Sequence, residues 1–211
     1  MSVETVIVDH PLVLDALTRI RDVNTPNALF RQHLERIGML LIAEATQTLP
    51  TEQGTVTTPL TEAPATRLAV QPVIVPILRA GLGFLAPAQQ LLPAADIGFI
   101  GIARNEETHE PEPYVNKLPD NIAERPVIVV DPMLATGGSL IHTLQLLVER
   151  GARQPLTVIC ALCAPEGIAA VDASGIDVTL FTAAVDDHLN DQAFIVPGLG
   201  DAGDRQFGAP A

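Results

Sequence analysis

The stretch Val127–Leu140 constrains the fold most, because it predicts a strand, a loop and a helix in immediate succession. Val127–Val130 are four consecutive β-forming residues, as expected of a buried strand. From Leu140 onward, apolar residues recur at helical spacing until Gly151, a typical residue just beyond a helix C-terminus. The segment therefore predicts a strand that delivers its carboxyl end to a loop at the start of a helix.

The loop itself allows two interpretations. Thr136 and Ser139 can be ordinary helix N-caps, the usual role of such residues in an isolated sequence of this kind. Alternatively, the loop directs these hydroxyls and its backbone N–H groups toward a bound phosphate, which the helix dipole also favours. Asp131 at the strand tip and the pair Gly137–Gly138, which lets the backbone close on a ligand, favour the second interpretation. The loop lacks the G-K-[ST] ending of an NTPase loop.

The charge of the chain limits its partners. The 211 residues carry a formal net charge of −13, and Lys117 is the only lysine. A general nucleic-acid surface needs many Lys and Arg side chains, so we expect no nucleic-acid partner. No apolar run approaches the roughly 18–20 residues of a membrane span, and the chain does not start with the pattern of a secretory signal. We therefore expect a cytoplasmic protein without a membrane partner, in which Cys160 and Cys163 are buried structural thiols.

Hydrophobic patterns predict strands that alternate with helices between residues 73 and 181. The predicted strands are Val3–Val8, Val73–Leu78, Ile97–Ile102, Val127–Val130, Thr157–Leu162 and Val178–Phe181, and the predicted helices include one from Pro11 to about Asp22, one from Pro26 to Ala45, Leu82–Leu92 and Pro165–Ala173. Thr55–Leu60 and Arg67–Val70 predict a polar hairpin. The pattern predicts one α/β domain over residues 1–211, with a mostly parallel sheet between two layers of helices. In such sheets, ligands bind beyond the carboxyl ends of the strands.

Three further motifs each allow a functional and a simpler structural interpretation. Gly198–Gly203 matches G-x-G-x-x-G, but we expect no helix to follow it and no ribose-binding acid about 20 residues on, so it is not a dinucleotide fingerprint. Gly81–Gly83 with Ala86 is better placed between a strand and a helix, and it leaves a nicotinamide-dependent enzyme open as an alternative. Arg79 argues against that alternative, because an arginine at the end of a buried strand needs an anion. Asp186–His188 suggests metal binding, but we expect these residues to be a solvated loop.

Several stretches together resemble one known family. Asp131–Ser139 is similar to the loop of uracil phosphoribosyltransferases that binds 5-phosphoribosyl 1-pyrophosphate (PRPP), and we call it the PRPP loop. The sequences Pro76–Gly83, Arg104–Thr108, Ala164–Gly167 and Pro197–Asp204 also resemble that family, in the same order along the chain. The resemblance covers nearly the whole chain.

The resemblance implies a type I phosphoribosyltransferase fold, with an extended arm or lid over about residues 104–121 and a small C-terminal hood over about residues 186–211. It implies the reaction of uracil with PRPP to give UMP and pyrophosphate, with Mg²⁺ held mainly by PRPP and its waters and no direct protein ligand. The implied catalytic residues are Asp131, Arg104 and Asp201. The implied PRPP-binding residues are Arg79, Arg104, Asp131, Pro132, Met133, Leu134, Ala135, Thr136, Gly137, Gly138, Ser139 and Asp201, and the implied uracil-binding residues are Ile195, Gly200, Asp201 and Ala202.

The chain departs from the wider fold family at three positions. Pro132 and Ala135 stand where many phosphoribosyltransferases carry acids, which leaves Asp131 as the only loop carboxylate, and Ala103 replaces a common aromatic residue. The resemblance implies at least a homodimer, and it leaves open whether GTP is an effector. A regulator of this fold that binds a nucleotide and acts on RNA is the alternative from another class, against which the acidic charge argues.

Overall fold

The computed structural model describes residues 3–104 and 111–208. Its helices are α1 (Pro11–Arg21), α2 (Asn27–Ala45), α3 (Leu85–Leu91), α4 (Gly138–Glu149), α5 (Pro165–Ala173) and α6 (Ala202–Phe207). Its strands are β1 (Glu4–Ile7), β2 (Thr51–Thr57), β3 (Glu62–Leu68), β4 (Val73–Leu78), β5 (Asp96–Ile97), β6 (Phe99–Arg104), β7 (Pro111–Lys117), β8 (Val127–Val130), β9 (Met133–Leu134), β10 (Leu156–Cys163), β11 (Val178–Val185), β12 (His188–Leu189) and β13 (Ile195–Val196).

The central sheet is parallel except at one edge. Its strands lie in the order β1-β11-β10-β8-β4-β6-β7, with β5 beside β4 and β9 beside β10. Only the pairing of β7 with β6 is antiparallel within the described part of this sheet. Because parallel strands bring their carboxyl ends to one side, the loops after β4, β8 and β10 are collected there.

Both faces of the sheet are covered, which explains the uninterrupted apolar strands of the sequence. On β4, Val73, Val75 and Ile77 pack into the core beneath α4 and α5, while Ile74 packs into the core beneath α1, α2 and α3. The same alternation along β8 places Val127 and Val129 on one side and Ile128 and Val130 on the other. The predicted class of fold, a mostly parallel sheet flanked by helices, is confirmed.

The exposed hairpin shows where the sequence signal was weaker. The prediction put strands at Thr55–Leu60 and Arg67–Val70, whereas the structure pairs β2 with β3 over Thr51–Thr57 and Glu62–Leu68. Every residue of β2 is exposed. A strand with no buried face carries no alternation of apolar and polar residues, so its limits cannot be read from hydrophobicity.

The predicted arm contains a strand. Residues Pro111–Lys117 form β7, which pairs with β6 at the edge of the sheet. Its two prolines are compatible with this position, because an edge strand can lack some ladder donors. The rest of the prediction for residues 105–110 lies outside the described residues. Across the described ranges, no helix combines the length and the apolar character needed to cross a membrane.

Candidate active site

A cavity of about 440 Å³ lies at the carboxyl side of the sheet, between the PRPP loop and the hood. The residues that line it are Ile102, Met133, Ala135, Thr136, Gly138, Ser139, Gln192, Ala193, Phe194, Ile195, Gly200, Asp201 and Ala202. Five residues of the PRPP loop and all four residues expected at the uracil site therefore face one space. Ile102 and the segment 192–194 complete the lining, and nothing in their sequence distinguished them beforehand.

The PRPP loop ends in an uncapped helix. Gly137 precedes α4 with a φ of 85°, a left-handed conformation that favours glycine. Neither Thr136 nor Ser139 caps the helix, since no side chain accepts a hydrogen bond from its first turn. The free N–H groups at the start of α4 and the two exposed hydroxyls thus remain available to an anion in the cavity. The N-cap interpretation of these residues is wrong.

Helix α5 supports the PRPP loop from behind. A Cβ atom at Gly167 would lie 2.3 Å from the carbonyl oxygen of Ala135, so only glycine lets α5 approach this closely. The nitrogen of Ala164, just before α5, donates to the carbonyl oxygen of Leu134 at 2.8 Å. The position of the loop is therefore set by backbone contacts with its neighbour in the structure as well as by its own sequence.

Two expected loop residues face the core and not the cavity. Pro132 is buried, and its carbonyl oxygen accepts from the nitrogens of Ala161 and Leu162 at 2.9 and 3.0 Å. Leu134 is 2% exposed and packs in the core. The carbonyl of Pro132 and the side chain of Leu134 thus anchor the segment between β8 and β9 to the core, while Met133 between them lines the cavity.

Asp131 is a partly buried carboxyl group close to two residues of the cavity lining, Met133 and Asp201. Burial raises the pKa of Asp131 to about 7. The N–H of Met133 donates to the carboxylate and opposes this rise in pKa, whereas the charge of Asp201 adds to it. Asp201 lines the cavity itself and caps α6, with its Oδ1 atom accepting from the nitrogen of Asp204 at 2.8 Å. Two carboxyl groups thus belong to this region, one partly buried and one exposed.

Arg79 follows β4 and reaches toward the hood. Its Nη2 atom lies 3.4 Å from Oδ1 of Asp204, and its side chain is 53% exposed. The anion expected beside Arg79 is therefore supplied by Asp204 of the hood in this structure. Arg104, the second expected arginine, ends β6; its side chain lies outside the described residues.

The glycines after Arg79 serve packing. Gly81 lies in a short 3₁₀ helix, where a Cβ atom would come within 2.5 Å of the carbonyl oxygen of Val130. A side chain at Gly83 would likewise overlap the amide of Gln206. These contacts hold the segment against the sheet and the hood, which gives the paired glycines a structural reason other than a dinucleotide.

Two expectations about the hood were wrong. Asp186 was expected in a solvated loop, but it is buried and paired with Arg21; nothing near it in sequence pointed to a partner 165 residues away. The six-residue helix α6 begins within the motif, at Ala202, and continues past Gly203, because Asp201 provides an N-cap. Among the described residues, no group of three or more His, Cys, Asp or Glu side chains could hold a metal ion.

Comparison with solved structures defines the class of this fold. Adenine phosphoribosyltransferase from Trypanosoma brucei, solved in complex with AMP, pyrophosphate and ribose-5-phosphate, has a TM-score of 0.51 at 15% identity over 84% of this chain and 82% of that chain. The fold is therefore that of a phosphoribosyltransferase. The AQ2163 protein from Aquifex aeolicus is much more similar, with a TM-score of 0.91 and 37% identity over 97% of this chain and 98% of that one.

Sequence comparison identifies the particular family. The family model described as uracil phosphoribosyltransferase matches residues 6–209. Uracil phosphoribosyltransferases from Corynebacterium efficiens and Corynebacterium diphtheriae are each 52% identical over 202 residues, which is 96% of this chain and 95% of each relative. The chain belongs to the uracil phosphoribosyltransferase family, whose reaction joins uracil to the 5-phosphoribosyl group of PRPP and gives UMP. The predicted family and activity are thereby confirmed.

Proposed function

We propose that the two substrates meet in the 440 Å³ cavity, with PRPP on the PRPP loop and uracil against the hood. The observation that carries this proposal is the common lining: Thr136 and Ser139 from the loop face the same space as Ile195 and Ala202 from the hood. Two reactants held side by side lose little further translational freedom on reaction, which is a large part of what an enzyme of this kind can contribute.

The loop side suits the 5′-phosphate of PRPP. The free N–H groups at the start of α4 and the hydroxyls of Thr136 and Ser139 supply neutral donors and the positive end of the helix dipole. Asp131 lies at the tip of β8 and, as a carboxylate, accepts from the ribose hydroxyls. The pKa of Asp131 is about 7, so its carboxyl group is partly protonated at neutral pH. The positive charge of a cation bound with PRPP would favour the ionised carboxylate, which is the form that accepts from the ribose hydroxyls.

The chemical step is a displacement at the ribose C1′ carbon. The bond from C1′ to the pyrophosphate oxygen breaks, and its electron pair leaves with pyrophosphate. The bond from uracil N1 to C1′ forms, and the N1 proton is released. Arg79 and Arg104 offset the charge that develops on the leaving group, because guanidinium groups match phosphate oxygens. To contact the pyrophosphate, the Arg79 side chain would leave Asp204, with which it pairs in this structure.

Magnesium fits this site as an ion carried by the substrate. Asp131 and Asp201 are the nearby carboxylates, and each would hold Mg²⁺ through its waters, since Mg²⁺ commonly keeps several waters and binds through few carboxylates and substrate phosphates. When bound, Mg²⁺ supplies positive charge to the pyrophosphate. The chain itself orients the ribose and the base around that complex.

The hood suits uracil through its backbone. Gly200 has a φ of 80°, and Gly200, Asp201 and Ala202 line the cavity together with Ile195. Uracil presents two carbonyl acceptors and an N3–H donor, which backbone N–H and C=O groups complement. Cytosine carries an amino donor in place of O4, so a backbone donor would face another donor, at a cost of about 1–3 kcal/mol.

The remaining assignments concern regulation and assembly. We propose a homodimer or higher homo-oligomer in the cytoplasm, with GTP as a candidate effector; the family relationship supports these assignments. Light scattering on the purified chain measures the assembly, and a monomer at micromolar concentration contradicts it. A rate of UMP formation that does not change with GTP contradicts the effector assignment.

A radiolabelled assay tests the central proposal. We expect labelled uracil to become UMP only when both PRPP and Mg²⁺ are present, and chelation of the metal with EDTA to stop the reaction. Labelled cytosine in a parallel reaction should give about 5- to 150-fold less product, as expected from a cost of about 1–3 kcal/mol for an unmatched buried donor. Equal formation of CMP and UMP would contradict recognition through the hood backbone. Loss of activity in Ser139→Ala without loss of PRPP affinity would contradict the placement of the 5′-phosphate.

A further inference from the structure

A buried ion pair ties the hood to the end of the first helix. Arg21 is the last residue of α1, and Asp186 follows β11 at the start of the hood. The Nη1 and Nη2 atoms of Arg21 donate to Oδ2 and Oδ1 of Asp186 at 2.8 and 2.5 Å. The side chains are 26% and 5% exposed, so water screens the pair only partly. The contact is bidentate, which fixes direction as well as distance.

The same pair holds the backbone of Gly198 from both sides. Arg21 Nη1 also donates to the carbonyl oxygen of Gly198 at 2.8 Å, and the nitrogen of Gly198 donates to Oδ2 of Asp186 at 2.8 Å. Gly198 lies between Ile195 and Gly200, two residues of the cavity lining. The three residues form a closed ring of hydrogen bonds, so a shift of either charged side chain moves the peptide between the uracil-facing positions.

Arg205 of α6 provides a second attachment to the same helix end. Its guanidinium donates to the carbonyl oxygens of Ile20 and Asp22 and, at 2.9 Å, to that of Leu199. It also lies 4.5 Å from the ring centre of Phe30. A cation at a helix C-terminus satisfies carbonyl groups that the helix leaves free. The end of α1 is thus attached to the stretch between Gly198 and Arg205 at both of its ends.

We infer that Arg21 and Asp186 are positioning residues that set the placement of the uracil-reading backbone at Ile195–Ala202. Neither side chain lines the cavity, so they act through Gly198 and not by touching a substrate. The inference rests on the proposed binding of uracil at the hood. It makes the C-terminal end of α1, far from the PRPP loop in sequence, a determinant of base affinity and base selectivity.

Conservative variants test this role. Arg21→Lys keeps a positive charge beside Asp186. Its single ammonium group cannot reproduce the planar guanidinium, which donates to the Asp186 carboxylate and to the Gly198 carbonyl oxygen at once. Asp186→Asn keeps the shape and one acceptor while removing the charge. We expect each variant to raise KM for uracil by about tenfold or more, because small displacements at a reacting centre are costly. KM for PRPP should rise clearly less than KM for uracil, since the PRPP loop does not contact the pair and Asp201 is the one expected PRPP-binding residue within the displaced stretch.

A second ion pair in the chain, between a buried arginine and an aspartate that is 58% exposed, provides the control. Arg125 is 8% exposed, pairs with Asp96 and donates to the carbonyl oxygens of Gln71 and Pro72. This cluster sits before β4 and β8, at the opposite end of the sheet from the cavity. Arg125→Lys should therefore lower Tm as Arg21→Lys does, yet leave KM for uracil and the ratio of UMP to CMP unchanged.

The experiment compares KM for uracil, KM for PRPP, the UMP to CMP ratio and Tm in the wild type, Arg21→Lys, Asp186→Asn and Arg125→Lys. A rise in KM for uracil and a fall in the UMP to CMP ratio, confined to the first two variants, supports the inference. Equal changes in both KM values, or the same changes in Arg125→Lys, would mean general destabilisation and overturn it. Unchanged KM for uracil in both hood variants also overturns it. A wild type that makes no UMP would instead refute the proposed function.

Discussion

The substitution Asp131→Asn separates the stability of the site from its function. Asp131 has a folded-state pKa of about 7 against a reference value of 3.8, and burial is the main cause. Because the folded state favours the protonated carboxyl group, stability from this residue falls as the pH rises from about 4 through 7. At roughly 1.4 kcal/mol per pKa unit, ionised Asp131 costs the folded state up to about 4 kcal/mol above pH 7.

Asparagine keeps the shape of the protonated side chain and carries no charge. We therefore expect Asp131→Asn to be more stable than the wild type at pH 8, by up to about 4 kcal/mol, and by only about 1.5 kcal/mol at pH 5. Water at the partly exposed carboxyl group reduces the first figure. Urea denaturation of both proteins at the two pH values measures the difference, and Asp9→Asn, at an exposed position before α1, is the control that should show none.

Turnover should change in the opposite direction. The loss of a charged acceptor for a ribose hydroxyl removes about 1.5–3 kcal/mol, so kcat/KM for PRPP should fall by about 10- to 100-fold or more. A variant that is more stable and much less active is the expected result. Near-normal turnover would refute the ribose contact, and an equal stability difference at pH 5 and pH 8 would refute the burial argument for the pKa.

Two glycine substitutions test the geometry around the cavity. Gly167→Ala places a methyl group 2.3 Å from the Ala135 carbonyl oxygen, so we expect it to displace the PRPP loop and raise KM for PRPP about tenfold, whereas Gly54→Ala in the exposed hairpin should leave KM unchanged. Gly198→Ala would bring its Cβ within 2.0 Å of the Ile195 carbonyl oxygen; we expect a loss of about 1–3 kcal/mol in unfolding free energy and a raised KM for uracil. Urea denaturation and initial rates measure these effects, and wild-type values in either variant would contradict the corresponding close contact.

The sequence predicted the limits of those strands and helices whose start and end signals lie within the segment itself. The limits of Val73–Leu78, Val127–Val130 and Pro165–Ala173 match the structure, because apolar runs and a proline at a helix start are signals within a few residues. Strand β10 is longer than predicted, Leu156–Cys163, and β11 continues to Val185. Strand ends depend on neighbouring strands, which a single segment does not reveal.

The candidate site could be predicted from the sequence only where its residues are also close together along the chain. The strand, the acid and the small residues around Thr136 already indicated a phosphate loop at a helix N-terminus. The pairing of Arg21 with Asp186 and the support of the loop by Gly167 join segments far apart in the chain. Hydrophobic periodicity carries no information on such partners, so Asp186 looked like an ordinary solvated acid.

The edge strand β1 is synthesised long before β11, the strand with which it pairs, so this edge of the sheet can form only late in synthesis. Residues Glu4–Ile7 pair in parallel with Thr179–Thr182 of β11, and Arg21 reaches Asp186. At about 5–20 residues per second, the ribosome needs roughly 10–35 s to add the residues between β1 and its partner. Throughout that interval the first strand and the end of α1 lack the segments that they bind. The pairing requires residues 179–186 to reach residues 4–21, so a product interrupted between Glu149 and Val178 contains the PRPP loop but has neither a finished sheet edge nor a base site.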